Sequence, residues 1–346
     1  SQSAGGPHNY VPQNFDVIEY SPVLLIENPE SKEVKGINTI KIEWNKPAVG
    51  NEFYFHNLGI KVDSVFYDGE RVLLSEITET NPTNTYNSIF TTNDHKIGEV
   101  KIYYSGIMPS EGGVSNWGGV HYSNKLLFAV GVGFYNDEVS CTRNWMPCYD
   151  LPSDKALYTG TFIVPDTLMA ISNGTLLEKK DTLGNFTKYK WTLGKDVVAT
   201  YLLTFAVGKF SEVDIPSEDV PVKAYMYDNQ ISAEAGKIAF KLVPKMIKAF
   251  ENFFSYKYPY ETMGYYGANI GNMEHQSLVT MSQSQINKTA TANDTMFSDA
   301  AHELGHQWFG DLVTPYDFRD AWLNEGFAVF TEYVWIESQF GDEKYR

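Results

Sequence analysis

The sequence predicts an α+β, multidomain protein: an N-terminal antiparallel β domain over residues 1–208, then a helix-bearing domain over 209–346. Three observations predict it. From about residue 14 to 208, short segments rich in Val, Ile, Tyr, Phe and Thr recur between Gly, Asn, Asp and Pro, the punctuation of strands and turns. After residue 210 apolar residues fall three and four apart, as on a helix face. The length of 346 residues is enough for two domains and a sizeable core.

In the first region Ile40–Trp44 alternates apolar with polar residues, and Val100–Tyr104 does so less strictly. Both are expected to be strands with one wet face. Asp181–Asn185 supplies a turn between hairpin strands at Thr175–Lys180 and Phe186–Thr192. In the second region Ile238, Leu242, Met246, Phe250 and Phe253 make a helical stripe within Ala233–Phe254, expected to pack in the core. Pro244 lies inside it and should kink the helix or mark an irregular turn. Met296–Trp308 and Ala321–Ala328 are two further helices, joined by a connection that contains Pro315.

Composition excludes some classes. The formal net charge is -16, which argues against nucleic-acid binding and disfavours anionic membranes. No run of 18 apolar residues exists, so no membrane span is expected. No signal peptide is visible; the small polar opening Ser1–Gly6 fits an artificial leader or a mature end. Cys141 and Cys148 are seven apart, a separation that permits a bridge, but free buried thiols are the expectation. Four Asn-x-Thr sequences begin at Asn173, Asn185, Asn287 and Asn293; chance is the expected source.

The chemistry gathers at His302-Glu303-Leu304-Gly305-His306. On a helix, residues four apart share a face, so His302 and His306 can aim two imidazoles at one point. Two neutral imidazoles suit zinc, with a carboxylate or water to complete a tetrahedron. Glu325, 19 positions after His306, is the third ligand that a helix–loop–helix hairpin would bring back. Two histidines and one glutamate leave a position open, as catalytic sites require. Glu303 is then placed to take a proton from water. A metal-free helix face could carry the same pentad; the apolar flanks and Glu325 weigh against it.

The stretch HELGHQWFG at 302–310, with WLNEGFA at 322–328, resembles the M1 family of zinc aminopeptidases. These are gluzincin relatives of thermolysin that include leukotriene A4 hydrolase. Pro147–Ala156 is similar to the family's P-C-x-D-E-P-x-x-K-A, with Leu151 for the usual glutamate. Ser172-Asn173-Gly174 resembles its S-N-G turn. ATYLLTFAVGKF at 199–210 resembles the strand that ends its β domain. Gly271–His275 is similar to G-x-M-E-N, with His275 in place of the commoner Asn.

The resemblance implies an N-terminal antiparallel β domain plus an incomplete thermolysin-like catalytic domain. It implies one zinc per chain and a peptide substrate with a free N-terminus. Glu274 and Glu138 would hold that substrate's ammonium group, and Gly271 and Met273, on an extended edge strand, would pair with its backbone. His275 would either replace the hydrogen bonds of the Asn or become cationic and weaken amine binding. Family habit points to an exported or periplasmic protein. The family's oxyanion-stabilising tyrosine lies well beyond the zinc glutamate, and Tyr333 is too close to match it. The sequence ends 21 residues after Glu325, so a fragment of a longer protein is expected. Epoxide hydrolysis on the same zinc, or a catalytically silent peptide-binding scaffold, are the alternative functions.

Overall fold

The computed structural model describes residues 13–78, 85–134, 139–182, 184–227, 232–293 and 298–341. The alternating segments form the expected strands. Ile40, Ile42 and Trp44 point inward from Glu33–Trp44, and Val100, Ile102 and Tyr104 do so from Ile97–Ile107, while Lys41 and Lys101 face outward. These two strands pair antiparallel at the centre of a large sheet. On one side follow Lys61–Tyr67 and Glu70–Val72; on the other follow Phe15–Leu25, Lys155–Pro165, Phe186–Thr192 and Thr175–Thr182. The pairing departs from a purely antiparallel domain at one place. Phe15–Leu25 runs parallel to Lys155–Pro165. Parallel partners need a long connection, and here most of the β domain lies between them.

A second sheet in the order Met169–Ser172, Phe205–Gly208, Leu126–Val130, Gly119–Ser123 packs against the first. Its Leu126–Val130 strand is apolar throughout and buried throughout. A three-stranded sheet of Glu52–His56, Thr85–Phe90 and Ser75–Thr78 completes this region. Cys141 and Cys148 are buried free thiols. Asn173 is buried and its Nδ2 donates to the carbonyls of Leu202 and Gln276, so a glycan on that nitrogen is incompatible with this packing.

A new sheet opens at Phe210–Ile215 and continues through Val222–Tyr227, Met263–Ala268 and Leu278–Ser282, the last two pairings parallel. Five helices accompany it among the described residues: α1 Ala233–Phe240, α2 Val243–Phe254, α3 Gln283–Ala292, α4 Ser298–Gly305 and α5 Ala321–Phe340. The break between α1 and α2 is the irregularity expected of Pro244, which sits in the first turn of α2 where a missing N–H costs nothing. Val243, Met246, Ile247 and Phe250 face the core, and Phe253, expected in the stripe, is half exposed. No helix among the described residues is long and apolar enough to cross a membrane.

Candidate active site and metal centre

Helix α4 ends at Gly305, three residues before the expected Trp308. Trp308 N–H turns to the Gly305 carbonyl in a tightened last turn. Gly305 is where α4 meets α5. A Cβ there would stand 2.1 Å from Thr331 Oγ1 and 2.7 Å from its Cγ2, so only glycine admits this approach. Glu325 and Glu332 are seven apart on α5, two turns along one face. They reach the His302 ring from opposite sides. Glu325 Oε2 lies 3.4 Å from Nε2, and Glu332 Oε1 lies 3.0 Å from Nδ1.

The hydrogen bonds orient both imidazoles. His302 Nδ1–H donates to Glu332, and His306 Nδ1–H donates to the Phe309 carbonyl at 3.0 Å. Both Nε2 atoms then present lone pairs inward, 3.1 Å apart, with Glu325 Oε2 3.6 Å from His306 Nε2. Three acceptors at 3.1–3.6 Å match the edges, about 3.3 Å, of a tetrahedron drawn with bonds of about 2.0–2.1 Å. Burial alone would lower His302, but Glu325 and Glu332 outweigh it and raise the ring to about 10. His306 is likewise raised, against burial, by Glu274 and Glu325. Glu325 is held well below the carboxylate range by the two rings, although burial opposes this. The carboxylates around the two rings thus favour positive charge at this point, which fits a divalent cation.

Glu303 is buried, and its Oε2 has no protein partner. Burial pushes its carboxyl up to about 8, with Glu274 adding to the rise and His306 opposing it. Ligand atoms of Glu274, Glu303 and His306 lie within 4.8 Å of one another. The structure therefore gathers His302, Glu303, His306, Glu325 and Glu274 at one place. Glu138 lies outside the described residues.

The segment around Glu274 corrects one expectation. No extended edge strand forms at 271–275. Met273 makes a single isolated bridge to Thr280, exchanging both its N–H and its C=O. Its N–H is thus closed to a substrate. Gly271 keeps its backbone unladdered and packs under Trp117, whose ring a Cβ would meet at 2.2 Å. The reason lies in the neighbours, which spend their polar groups elsewhere. Asn272 caps Ser282 N–H, and Gln276 N–H reaches the Leu202 carbonyl. His275 is fully buried and held neutral, lowered to about 3 by burial, so it is not the cation considered above.

Two further residues, Glu332 and Gln307, support the site. Glu332 lies seven residues after Glu325 and so on the same face of α5, but its reach to His302 depends on the close approach at Gly305. Gln307 bridges α4 to the Glu274 segment; its Oε1 accepts Ser277 N–H at 2.8 Å and its Nε2 donates to the Glu274 carbonyl at 3.4 Å. No sequence signal marks it.

The packing of Gly305 yields a test. Gly305→Ala is expected to cost about 1–3 kcal/mol by overpacking against Thr331 and to weaken metal binding about 10–100-fold by drawing Glu332 off His302. Denaturation and a metal titration measure both. Unchanged stability and affinity would show that α5 yields freely at this contact.

Comparison with known proteins agrees with the geometry. The Peptidase M1 N-terminal domain profile matches residues 12–202, and the Peptidase family M1 domain profile matches 238–346. The chain is similar to aminopeptidase M1 of Arabidopsis thaliana, with 29% identity over 289 residues, 81% of this chain and 31% of that protein. It is also similar to glutamyl aminopeptidase of Rattus norvegicus, with 34% identity over 215 residues, 59% of this chain and 22% of that protein. The chain thus spans less than a third of the length of these curated relatives. In fold it resembles an M1 zinc metallopeptidase from Deinococcus radiodurans, with a TM-score of 0.79 and 24% identity, over 95% of this chain and 72% of that one. Yeast LTA4 hydrolase superposes with a TM-score of 0.79 at 20% identity, over 96% of this chain and 50% of that one. Both profiles fall in chain order on the β region and on the helices that carry the histidine–glutamate cluster, and the chain belongs to peptidase family M1.

Proposed function

We propose that the protein is a zinc-dependent aminopeptidase that removes the N-terminal residue of peptides. One observation carries the reading: three inward-facing donors on His302, His306 and Glu325 stand beside two buried carboxylates, Glu303 and Glu274. His302, His306 and Glu325 would hold one zinc ion. Zinc bound there supplies Lewis-acid polarisation of a carbonyl and acidifies water.

The protein's own groups do the rest. Glu303, its carboxyl already raised by burial, accepts a proton from the attacking water and returns it to the leaving amine. Glu274, with Glu138 from the β domain, anchors the substrate's α-ammonium, so that only the first peptide bond reaches the cluster. Gly271 offers backbone to the substrate's main chain. Glu332 holds His302 in the tautomer that presents Nε2. The division between the two domains is placed near Gly208. The Deinococcus radiodurans enzyme has been captured with a Tyr-Ser-Ala substrate, which supports a peptide as the substrate class.

The test is hydrolysis of alanyl, leucyl and arginyl anilides, each with a free or acetylated amino end, with and without a zinc chelator. Free-amine substrates alone should turn over, and chelation should stop them. Equal cleavage of acetylated substrates would remove Glu274 and Glu138 as amine anchors. No turnover in either set would overturn the reading.

A further inference from the structure

Outside the cluster of candidate metal ligands, a buried polar arrangement surrounds His275. Its Nε2 lies 3.1 Å from the Gly131 amide nitrogen. An amide N–H can only donate, so Nε2 must accept and carries no proton. A neutral ring then carries its proton on Nδ1, which donates to the Thr280 hydroxyl at 2.9 Å. The Thr280 hydroxyl also faces the Tyr266 phenol and lowers its proton affinity against burial. Tyr266 Oη is 3.2 Å from Thr204 Oγ1, and Thr204 donates to the Ala129 carbonyl at 2.7 Å.

These bonds have one consistent direction. Thr204 spends its proton on Ala129, so Tyr266 must donate to Thr204. Thr280 must then donate to Tyr266, and His275 to Thr280. The circuit starts at the Gly131 N–H and returns to the Ala129 carbonyl, two residues away at the end of Leu126–Val130. It joins the β domain to Met263–Ala268 and Leu278–Ser282, two strands of the sheet that opens at Phe210–Ile215, and to the residue beside Glu274. A second proton on Nε2 would face the Gly131 N–H and open it.

Glu274 is therefore flanked by two ties. On the α4 side Gln307 holds its carbonyl. On the β side its neighbour His275 holds Gly131. We propose that His275, as the neutral Nδ1-protonated tautomer, is a positioning residue that fixes the Glu274 carboxylate by tying the following peptide to Gly131 of the β domain. This rests on the reading of Glu274 as the amine anchor. His275 itself touches no substrate. Its burial excludes that, and its low affinity for protons keeps the circuit closed at neutral pH.

Two measurements test it. Protein labelled with nitrogen-15 in its histidines, with the His275 signals identified by their loss in His275→Asn, should show an unprotonated Nε2 and a protonated Nδ1 at pH 7. A protonated Nε2 overturns the circuit whatever the variants do. In kinetics, His275→Ala should raise KM for a free-amine anilide about tenfold, the worth of one or two neutral hydrogen bonds, with kcat nearly unchanged. An anchor lost equally from ground and transition states acts on KM. His275→Asn, which keeps one acceptor and one donor, should restore most of the difference. An unchanged KM in folded His275→Ala overturns the positioning role. No turnover by the wild-type protein, with the expected spectrum, overturns the amine-anchor reading and the positioning role with it, and leaves the tautomer established.

Discussion

Glu303→Gln is expected to lower kcat by about 10²–10⁴-fold, the usual worth of a positioned general base, while zinc still binds at one per chain. The change keeps the shape and removes only the ability to take a proton. The effect on the metal should be small, because the inward donors are His302, His306 and Glu325 and Glu303 is none of them. The effect on stability should be neutral or favourable. Glu303 is buried, its Oε2 has no protein partner, and burial already resists its charge. Removing a carboxylate that folding must desolvate relieves a cost, a common sign that a residue is kept for chemistry and not for the fold. Steady-state kinetics, metal analysis and thermal melting on one preparation measure all three. Turnover within tenfold of wild type would exclude Glu303 as the base. Loss of zinc together with turnover would show that it supports the metal instead.

The pair His302 and His306 was legible because its geometry is local: four residues on a helix suffice. Glu325 needed only one hairpin more. Alternation fixed the faces of Ile40–Trp44 and Val100–Tyr104 for the same reason, since a period of two depends on nothing distant. What failed to show depends on packing between remote parts. Glu332 reaches His302 because Gly305 lets α5 approach, and no pattern within either helix states that distance. His275 was ambiguous between neutral and cationic because its partner Gly131 lies 144 positions away. The parallel pairing of Phe15–Leu25 with Lys155–Pro165 joins strands separated by most of the β domain. Phe253 shares α2 with Met246 and Phe250 but lies at the edge of their face in the last turn, where it is half exposed, and helical spacing alone does not state how far the core extends. Met273 was expected to offer its backbone to a substrate, and the Thr280 bridge that consumes it cannot be seen in a five-residue motif.

Asp150→Asn is expected to cost about 3–5 kcal/mol, the penalty for breaking a buried ion pair by removing one of its charges. Arg143 and Asp150 are both buried, and Asp150 is the hub of their loop. Its Oδ2 accepts from Arg143 N–H and Nε–H, each at 3.0 Å, and its Oδ1 accepts from Thr200 Oγ1 at 2.6 Å. Its own N–H donates to His56 Nδ1, and its carbonyl accepts from Arg143 Nη2. The amide of Asn keeps the shape but withdraws the countercharge. An orphaned carboxylate can escape by taking up a proton, whereas a guanidinium stays charged at every accessible pH. Asp150→Asn should therefore be more damaging than Arg143→Met. In the latter variant the Arg143-position N–H and the Thr200 hydroxyl still bond the carboxylate. Replacing both residues by apolar ones should not restore wild-type stability either. It would leave the Thr200 hydroxyl and that backbone N–H without acceptors, at about 1–3 kcal/mol each. Against a total stability of about 5–15 kcal/mol, any of these losses is large, and Asp150→Asn is expected to leave the β domain poorly folded at 37 °C. Urea unfolding of the three variants gives the ranking. A cost below about 1 kcal/mol for Asp150→Asn would mean that the other partners of Arg143 hold its charge once Asp150 is neutral.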